Sequence, residues 1–175
     1  YISPASGKTY LSDDFGNVDQ IKLAINQVEN IKNNIINSLT GTDYDKIMKI
    51  HDYLVDNIDY DSTYQATGTY SIYGALIGKK CVCEGYAKSL KYLANQAGIK
   101  CEIMQGTGTN SSGQTESHAW NCVKIDGIWY EIDATWDDPI IIGNGYKANV
   151  YKYRYFLKGT VSFEKDHILS YQFSE

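Results

Sequence analysis

Two cysteines stand one residue apart in the segment KKCVCEGYAKSL, where a helical pattern begins. Cys83 directly precedes the predicted helix, and Cys81 lies two residues upstream. Free backbone N–H groups and the positive end of the dipole at a helix start favour the thiolate form of a cysteine. The same N–H groups can face a developing oxyanion. The sequence therefore predicts that Cys83 is a nucleophile, provided that a base lies within reach.

The other three cysteines lack this position. Cys81 lies off the helix end and is predicted to be a packed thiol or a disulfide partner. Cys101 and Cys122 fall in strand-like segments, where a free cysteine behaves as a small hydrophobe. The C-x-C spacing differs from the C-x-x-C half of a typical zinc site, so no metal and no cofactor are predicted.

A base for the thiol is offered by the segment HAWNCVKIDGIWYEIDATW, residues 118–136. Asp126-Gly127 between two alternating segments is a strong signal for a two-residue hairpin. In that register His118 and Asp133 are diagonal neighbours on one face, with Cβ atoms roughly 7 Å apart. An aspartate there can fix the imidazole tautomer and increase its basicity. The opposite face collects the apolar residues, so this pair is predicted to lie away from the core.

The elements that must position these residues are helices first and strands last. Helical spacing of apolar residues predicts one helix over 18–39, a second after Thr42 or Asp43, and a third over Glu84–Gln96. Strand patterns follow at residues 99–106, in the hairpin, and at residues 151–157, with a polar loop over residues 108–117. This order predicts an α+β fold in which N-terminal helices pack on an antiparallel β-sheet.

Composition indicates a globular chain and excludes several partners. The chain has 175 residues, 43% hydrophobic and 21% charged, with a net charge of −5. Without a basic cluster, nucleic acid and anionic membranes are not expected partners. No apolar run approaches transmembrane length, so no membrane insertion is expected. Residues 1–16 are predicted to be a linker or the tail of a larger protein, and residues 17–175 a single catalytic domain.

Several motifs resemble those of the bacterial transglutaminase-like superfamily. They are VCEGYAKSLKYLANQAGI, SHAWNCVKIDGIWYEIDATWDDP, and the upstream KIHDYLVDNIDYD with YGAL. The resemblance covers roughly residues 44–139 and continues less sharply through YRYFLKG and KDH. It implies a papain-like α+β fold with a Cys-His-Asp triad. Matched position by position, the nucleophile is Cys83, the base His118 and the orienting acid Asp133.

Other parts of the expected site are less well defined. The papain-type oxyanion glutamine would fall at Ile77, so Tyr73 is predicted as a side-chain donor, with core packing as its alternative role. Trp120 and Trp136 flank the triad residues and are candidates for a substrate groove, although aromatic residues beside a hairpin more often pack in a core. The two remaining histidines, His51 and His167, are predicted to be structural.

The resemblance implies a thiol-dependent acyl-transfer enzyme acting on protein or peptide amide bonds. The acyl group, taken from a glutamine or another amide, would pass to a lysine amine in a transglutaminase, or to water in a cysteine peptidase or amidase. A cell-wall peptide is a further possible substrate, and an extracellular or cell-surface location is expected. The alternatives are a non-catalytic extracellular binding module that retains the fold and, third, a metal-binding or redox protein.

Overall fold

Residues 14–138 and 152–170 are described by the structure, a computed structural model of the chain. The prediction that residues 1–16 form a linker therefore falls almost wholly outside the described residues. The first described helix begins at Val18, next to the predicted start of the domain. Within the described ranges, no helix is both long and apolar enough to span a bilayer.

Five helices lie in the described part of the chain. They are α1 (Val18–Ser38), α2 (Asp43–Asn57), α3 (Ile72–Leu76), α4 (Cys83–Gln96) and α5 (Thr160–Phe163). The first three begin at side-chain caps, because Asn17, Thr42 and Ser71 each accept a hydrogen bond from a backbone N–H of the first turn. Thr42 forms a full capping box, which confirms its prediction as the start of the second helix.

Six strands form two sheets in the described residues. They are β1 (Asp59–Tyr60), β2 (Lys80–Cys81), β3 (Cys101–Thr109), β4 (Thr115–Ile125), β5 (Ile128–Ile132) and β6 (His167–Leu169). The short strands β1 and β2 pair in parallel, and the other four form an antiparallel sheet in the order β5-β4-β3-β6. The α+β class with an antiparallel sheet, predicted from the order of the elements, is confirmed.

The β4–β5 hairpin has the predicted register. Ile125 pairs with Ile128, so Asp126 and Gly127 form a two-residue turn. Both turn residues have positive φ, 51° and 84°, as this type of turn requires. The side chains of His118 and Asp133 therefore project on the same side of the hairpin.

Two local predictions differ from the structure. The predicted loop over residues 108–117 is shorter at both ends and spans 110–114, because β3 extends to Thr109 and β4 begins at Thr115. The predicted strand at 151–157 is a series of turns in its described part, and only the next residue, Lys158, bridges to Glu131. Tyr151 lies outside the described residues. Strand β6, which pairs with β3, was not predicted.

The main core lies between the helices and one face of the sheet. Its fully buried members include Ile47, Ile50 and Leu54 of α2, Leu90 and Leu93 of α4, Val123 of β4 and Ile132 of β5. Burying one such side chain stabilises the fold by about 1.5–3 kcal/mol. Asn121 is the polar residue on this face, and its amide donates to the carbonyl oxygens of Ala87 at 3.0 Å and Glu102 at 3.2 Å.

A second apolar cluster covers the opposite face of the sheet. Its buried members are Trp120, Tyr155 and Phe163, and Met104, Trp136 and Leu169 pack around them. The His118 face therefore lies away from the main core, as predicted, but it is covered by this second cluster, which was not predicted. The covering residues come from α5 and the segment before it, which lie far from the hairpin in sequence.

Candidate active site

Cys83 is the first residue of α4, one residue further into the helix than predicted. The N-cap residue, Val82, has no side chain that can accept a hydrogen bond, in contrast to the capped starts of α1, α2 and α3. The first N–H groups of a helix have no intrahelical partner. At α4 no capping side chain accepts from these donors, and the N–H of Gly85 donates to the Val82 carbonyl at 2.9 Å. The N–H groups of Cys83 and Glu84 therefore remain available to a bound anion or oxyanion.

The remaining cysteines are buried or half-buried free thiols. Burial, followed by the charge of Cys83, raises the pKa of Cys81, which keeps this thiol protonated and unreactive. Burial likewise raises the pKa of Cys101, and that of Cys122 to about 11. Of the two readings offered for Cys81, the packed thiol is the one found in the structure.

His118 and Asp133 form a buried pair. Nε2 of His118 donates to Oδ2 of Asp133 at 2.7 Å, and the two residues are only 5% and 1% exposed. The other carboxylate oxygen, Oδ1, accepts from the backbone N–H groups of Thr135 at 2.9 Å and Trp136 at 3.2 Å. The turn after β5 therefore fixes the carboxylate, and the carboxylate fixes the imidazole.

The electrostatics of the pair favour a charged imidazole. Burial alone would raise the pKa of Asp133, but the charge of His118 and hydrogen bonds from both His118 and His167 hold it well below its usual range. Burial opposes the charged form of His118 too, yet Asp133 and a hydrogen bond with Cys83 raise its pKa to about 10. Since Nε2 faces Asp133, the nitrogen left for the thiol is Nδ1.

Aromatic rings frame the imidazole. The ring of His118 stacks on Trp136 at 5.0 Å between centroids and on Trp120 at 6.1 Å. Trp120 is 2% exposed, and its Nε1 donates to Glu131 at 3.0 Å. Of the two predicted groove residues, only Trp136 lines a cleft. Trp120 instead packs in the second cluster.

Two clefts meet at His118. The larger, about 940 Å³, is lined by both polar and aromatic residues, which include Tyr60, Glu116, Thr135, Trp136, Arg154 and Tyr155. The smaller, about 300 Å³, is lined by Cys83, Glu84, Gln105, Gly106, Ser117, Ala119 and Ser170. His118 is the residue that lines both, so one imidazole can serve groups that approach from either side.

Tyr73, the predicted side-chain donor, lines neither cleft. Its ring packs edge-on against Phe15 at 5.1 Å, which is the alternative packing role. Tyr60 is the tyrosine that sequence reasoning missed. Burial raises the pKa of its phenol, and the charge of Cys83 raises it further. Tyr60 pairs with Cys81 in the β1–β2 sheet and lines the larger cleft with His118. Tyr60 lies in the quoted motif NIDYD, but its position in that motif did not indicate a role.

His167 is the second missed residue. It lies on β6, and its Nε2 is 3.2 Å from the same Asp133 oxygen that His118 contacts. The sequence showed only a histidine after Asp166, near the end of the chain. Strand pairing with β3 brings it to the site, and nothing in the local pattern predicted that strand.

One group of three metal-ligand residue types occurs in the described ranges. The ligand-type atoms of His118, Asp133 and His167 lie within 4.8 Å of one another. These atoms are joined by hydrogen bonds, and both histidines direct Nε2 to one carboxylate oxygen. We therefore treat the three as a hydrogen-bonded cluster, and the absence of a metal stays a prediction.

His51 forms a second buried histidine–carboxylate pair. Its Nε2 contacts Asp137 Oδ2 at 3.0 Å, and Asp137 Oδ1 accepts from the backbone N–H of Tyr155 at 2.7 Å. The pair joins α2 to the turn that carries Asp133. His51 was predicted to be structural, and its contacts are of that kind.

The fold and the site together define a class of protein. The family model described as Transglutaminase-like superfamily matches residues 29–134, more than half of the chain. The chain belongs to the transglutaminase-like superfamily. The matched range contains Cys83, His118 and Asp133, but His167 lies beyond its end.

Two curated relatives are similar to the same extent. The Kyphoscoliosis peptidase of Homo sapiens is 28% identical over 138 residues, which cover 72% of this chain and 21% of the human protein. The Kyphoscoliosis peptidase of Mus musculus is 27% identical over an equal length and equal shares of both chains. The chain spans about a fifth of the length of the curated relatives it matches.

A solved structure shares the fold. It is described as a TGase, and it superposes with a TM-score of 0.56 at 16% sequence identity. The superposition covers 83% of this chain and 40% of the other. At this identity the likeness concerns the fold, which agrees with the family match.

Proposed function

We propose that this chain is a cysteine peptidase or amidase, a thiol enzyme that cleaves protein or peptide amide bonds through Cys83, His118 and Asp133. The observation that carries the proposal is the buried His118–Asp133 hydrogen bond of 2.7 Å beside Cys83 at an uncapped helix start. This arrangement supplies a nucleophile, a base and an orienting acid, which are the parts that acyl transfer to a thiol requires.

In the first half of the reaction, the Cys83 thiolate attacks the carbonyl carbon of the amide. The oxyanion forms beside the N–H groups of Cys83 and Glu84 at the start of α4, and the Tyr60 hydroxyl, from the cleft that His118 lines, is the side-chain donor in our proposal. The C–N bond then breaks, and the His118 imidazolium gives its proton to the departing amine. Asp133 stays ionised throughout and holds the ring.

In the second half, a water molecule attacks the thioester carbonyl and gives a proton to His118. The C–S bond breaks, which releases the carboxylic acid and restores the thiolate–imidazolium pair. If a lysine amine attacks in place of water, the product is a new amide, and the enzyme acts as a transglutaminase. The same three residues serve both outcomes, so the choice depends on which acceptor reaches the thioester.

Hydrolysis is the outcome that the surroundings of His118 favour. The larger cleft, about 940 Å³ in volume, extends to His118, and its lining includes polar groups such as Glu116 and Thr135, which can hold a water molecule beside the imidazole. The two curated relatives also carry the name peptidase. We propose a protein or peptide as the substrate, which includes glutamine-bearing or cell-wall peptides, and an extracellular or cell-surface setting.

The first test measures alkylation of each cysteine by iodoacetamide against pH, mapped by mass spectrometry. In the wild type, Cys83 should react selectively at and below neutral pH, and His118→Ala should slow it. With a peptide amide substrate, Cys83→Ala should abolish turnover, by a factor of at least about 10³. Cys81→Ala is the matched control, since it removes the neighbouring thiol, and it should largely spare turnover.

Two outcomes would contradict the proposal. If Cys83 reacts no faster than an ordinary thiol and His118→Ala changes nothing, the chain is better described as a binding module that retains the fold. If Cys81→Ala costs as much turnover as Cys83→Ala, the nucleophile is wrongly assigned. Incorporation of a fluorescent amine in place of hydrolysis would move the assignment from peptidase to transglutaminase.

A further inference from the structure

His167 makes two hydrogen bonds to carboxylates at the centre of the site. Its Nε2 lies 3.2 Å from Asp133 Oδ2, and its Nδ1 lies 2.8 Å from Asp166 Oδ1. The residue is 2% exposed. Asp166 is itself held by the hydroxyl of Tyr155, which donates to its other oxygen at 2.7 Å. His167 therefore has a fixed partner on each side of the ring.

The Asp133 carboxylate is saturated by these contacts. A carboxylate offers about four acceptor positions, two on each oxygen. Oδ1 accepts from the backbone N–H groups of Thr135 and Trp136, and Oδ2 accepts from His118 and His167. The two histidines therefore share one oxygen, and each limits the negative charge that the other receives.

The surroundings hold His167 in this orientation. Its ring packs on Phe163 at 4.1 Å, on Trp136 at 4.4 Å and edge-on against Trp120 at 5.0 Å. The rings of His118 and His167 lie 5.5 Å apart. The charged or titratable groups around His167 are Asp133, Asp166, Glu131 and the Tyr155 phenol. Those around His118 are Asp133, Cys83 and His167.

We propose that His167 is a positioning residue of the active site. It binds Oδ2 of Asp133 through a hydrogen bond and thereby weakens the interaction of that oxygen with His118. The inference rests on the proposed function for its purpose, since an unmoderated carboxylate would keep the His118 proton too tightly. An imidazolium that must protonate an amine in one step and accept a proton in the next works best when its proton is neither too weakly nor too strongly held.

The test compares two variants of the full chain. His167→Phe keeps a ring in the aromatic cage and removes the donor, whereas His167→Gln retains an N–H donor for Asp133. The measurement is an NMR titration of the His118 ring. In His167→Phe the ring should lose its proton at a pH about one unit higher than in the wild type, because Asp133 then serves His118 alone. His167→Gln should titrate close to the wild type.

An unchanged His118 titration in a folded His167→Phe would overturn the proposal, and so would equal shifts in both variants. If His167→Phe does not fold, a long-range ¹H–¹⁵N spectrum of the wild type decides. Nε2 of both histidines should then carry a proton, and an unprotonated Nε2 on His167 would refute the shared oxygen. These NMR measurements need no substrate. Slow alkylation of Cys83 would therefore contradict the proposed function without deciding whether His167 positions Asp133.

Discussion

Partners, rather than residue type, separate the three histidines of this chain. All three are buried and hydrogen-bonded to an aspartate. His51 lies between two acidic residues in the helical layer, and His167 lies between Asp133 and Asp166. Only His118 has a thiol as its other partner and lines both clefts. A histidine–carboxylate pair alone is therefore a weak sign of catalysis, and the neighbouring cysteine makes the difference.

The two tyrosines considered as oxyanion donors give a prediction at the same scale. Tyr60→Phe should lower the rate of acylation of Cys83 by a factor of about 10–100, because it removes a phenol hydroxyl from the cleft that His118 lines. Tyr73→Phe is the matched control, since Tyr73 lines neither cleft, and it should leave the rate within about twofold. Burst kinetics with an amide or ester substrate would measure acylation separately from hydrolysis.

Equal effects of the two substitutions would count against the role given to Tyr60. A fall in the second step alone, with a normal burst, would also contradict it, because an oxyanion donor acts in both steps.

The close approach of β6 to β3 brings His167 to the site. Gly106 permits this approach because it has no side chain. A Cβ at Gly106 would overlap the carbonyl oxygen of Ile168 and would lie 2.9 Å from the ring of Trp120. Neither neighbour can give way easily, since the first is backbone and the second is packed in the cluster. The pairing of β6 with β3 therefore requires a residue without a side chain at position 106.

We expect Gly106→Ala to destabilise the protein by about 1–3 kcal/mol, as overpacking does in well-packed regions. The displaced β6 should carry His167 away from Asp133, so the His118 titration should shift as in His167→Phe. Gly159→Ala is the control, because a Cβ at Gly159 meets no atom within 4 Å, and it should cost less than about 1 kcal/mol. Chemical denaturation of both variants provides the measurement.

A stability of Gly106→Ala equal to that of Gly159→Ala would show that β6 adjusts at no cost. The role of the strand in holding His167 would then need to be abandoned.

Across the whole molecule, two histidine–carboxylate pairs connect distant parts of the chain. His51 in α2 contacts Asp137, and His118 in β4 contacts Asp133, so a single turn after β5 anchors to the helical layer and to the sheet. When one partner of a buried ion pair loses its charge, the other is left as an uncompensated charge, and the folded state is destabilised. The stability of the protein should therefore depend on pH.

The sign follows from the raised pKa of His118, about 10 in the folded protein against about 6.5 in an unfolded chain. The proton on His118 stabilises the fold fully below pH 6.5, and this contribution is lost as the pH rises toward 10. We expect the difference in Tm between wild type and His118→Ala to shrink by roughly 8–16 °C between pH 6 and pH 10, about 4 kcal/mol. Differential scanning calorimetry measures it.

The lowered pKa of Asp133 acts in the opposite direction, since its contribution is present above pH ~4 and is lost as the pH falls further. A Tm difference that stays constant from pH 6 to pH 10 would mean that His118 is not protonated more readily in the folded protein.

Some features of this protein were determined by local sequence alone. The Thr42 capping box, the helical period before Gln96 and the Asp126-Gly127 turn depend on residues a few positions apart, so they could be read directly. The turn fixed the register, and the register placed His118 beside Asp133. The pairing of His118 with Asp133 was therefore predictable to the residue, and so was the α+β class.

The tertiary structure decided what the sequence could not. The cover over the His118 face comes from Tyr155 and Phe163, and the second histidine on Asp133 comes from a three-residue strand. Both depend on packing between segments more than 20 residues apart, where no local period or turn signal operates. Tyr60 and Tyr73 look alike in sequence, but only the fold places Tyr60 in the larger cleft with His118 and packs Tyr73 against Phe15.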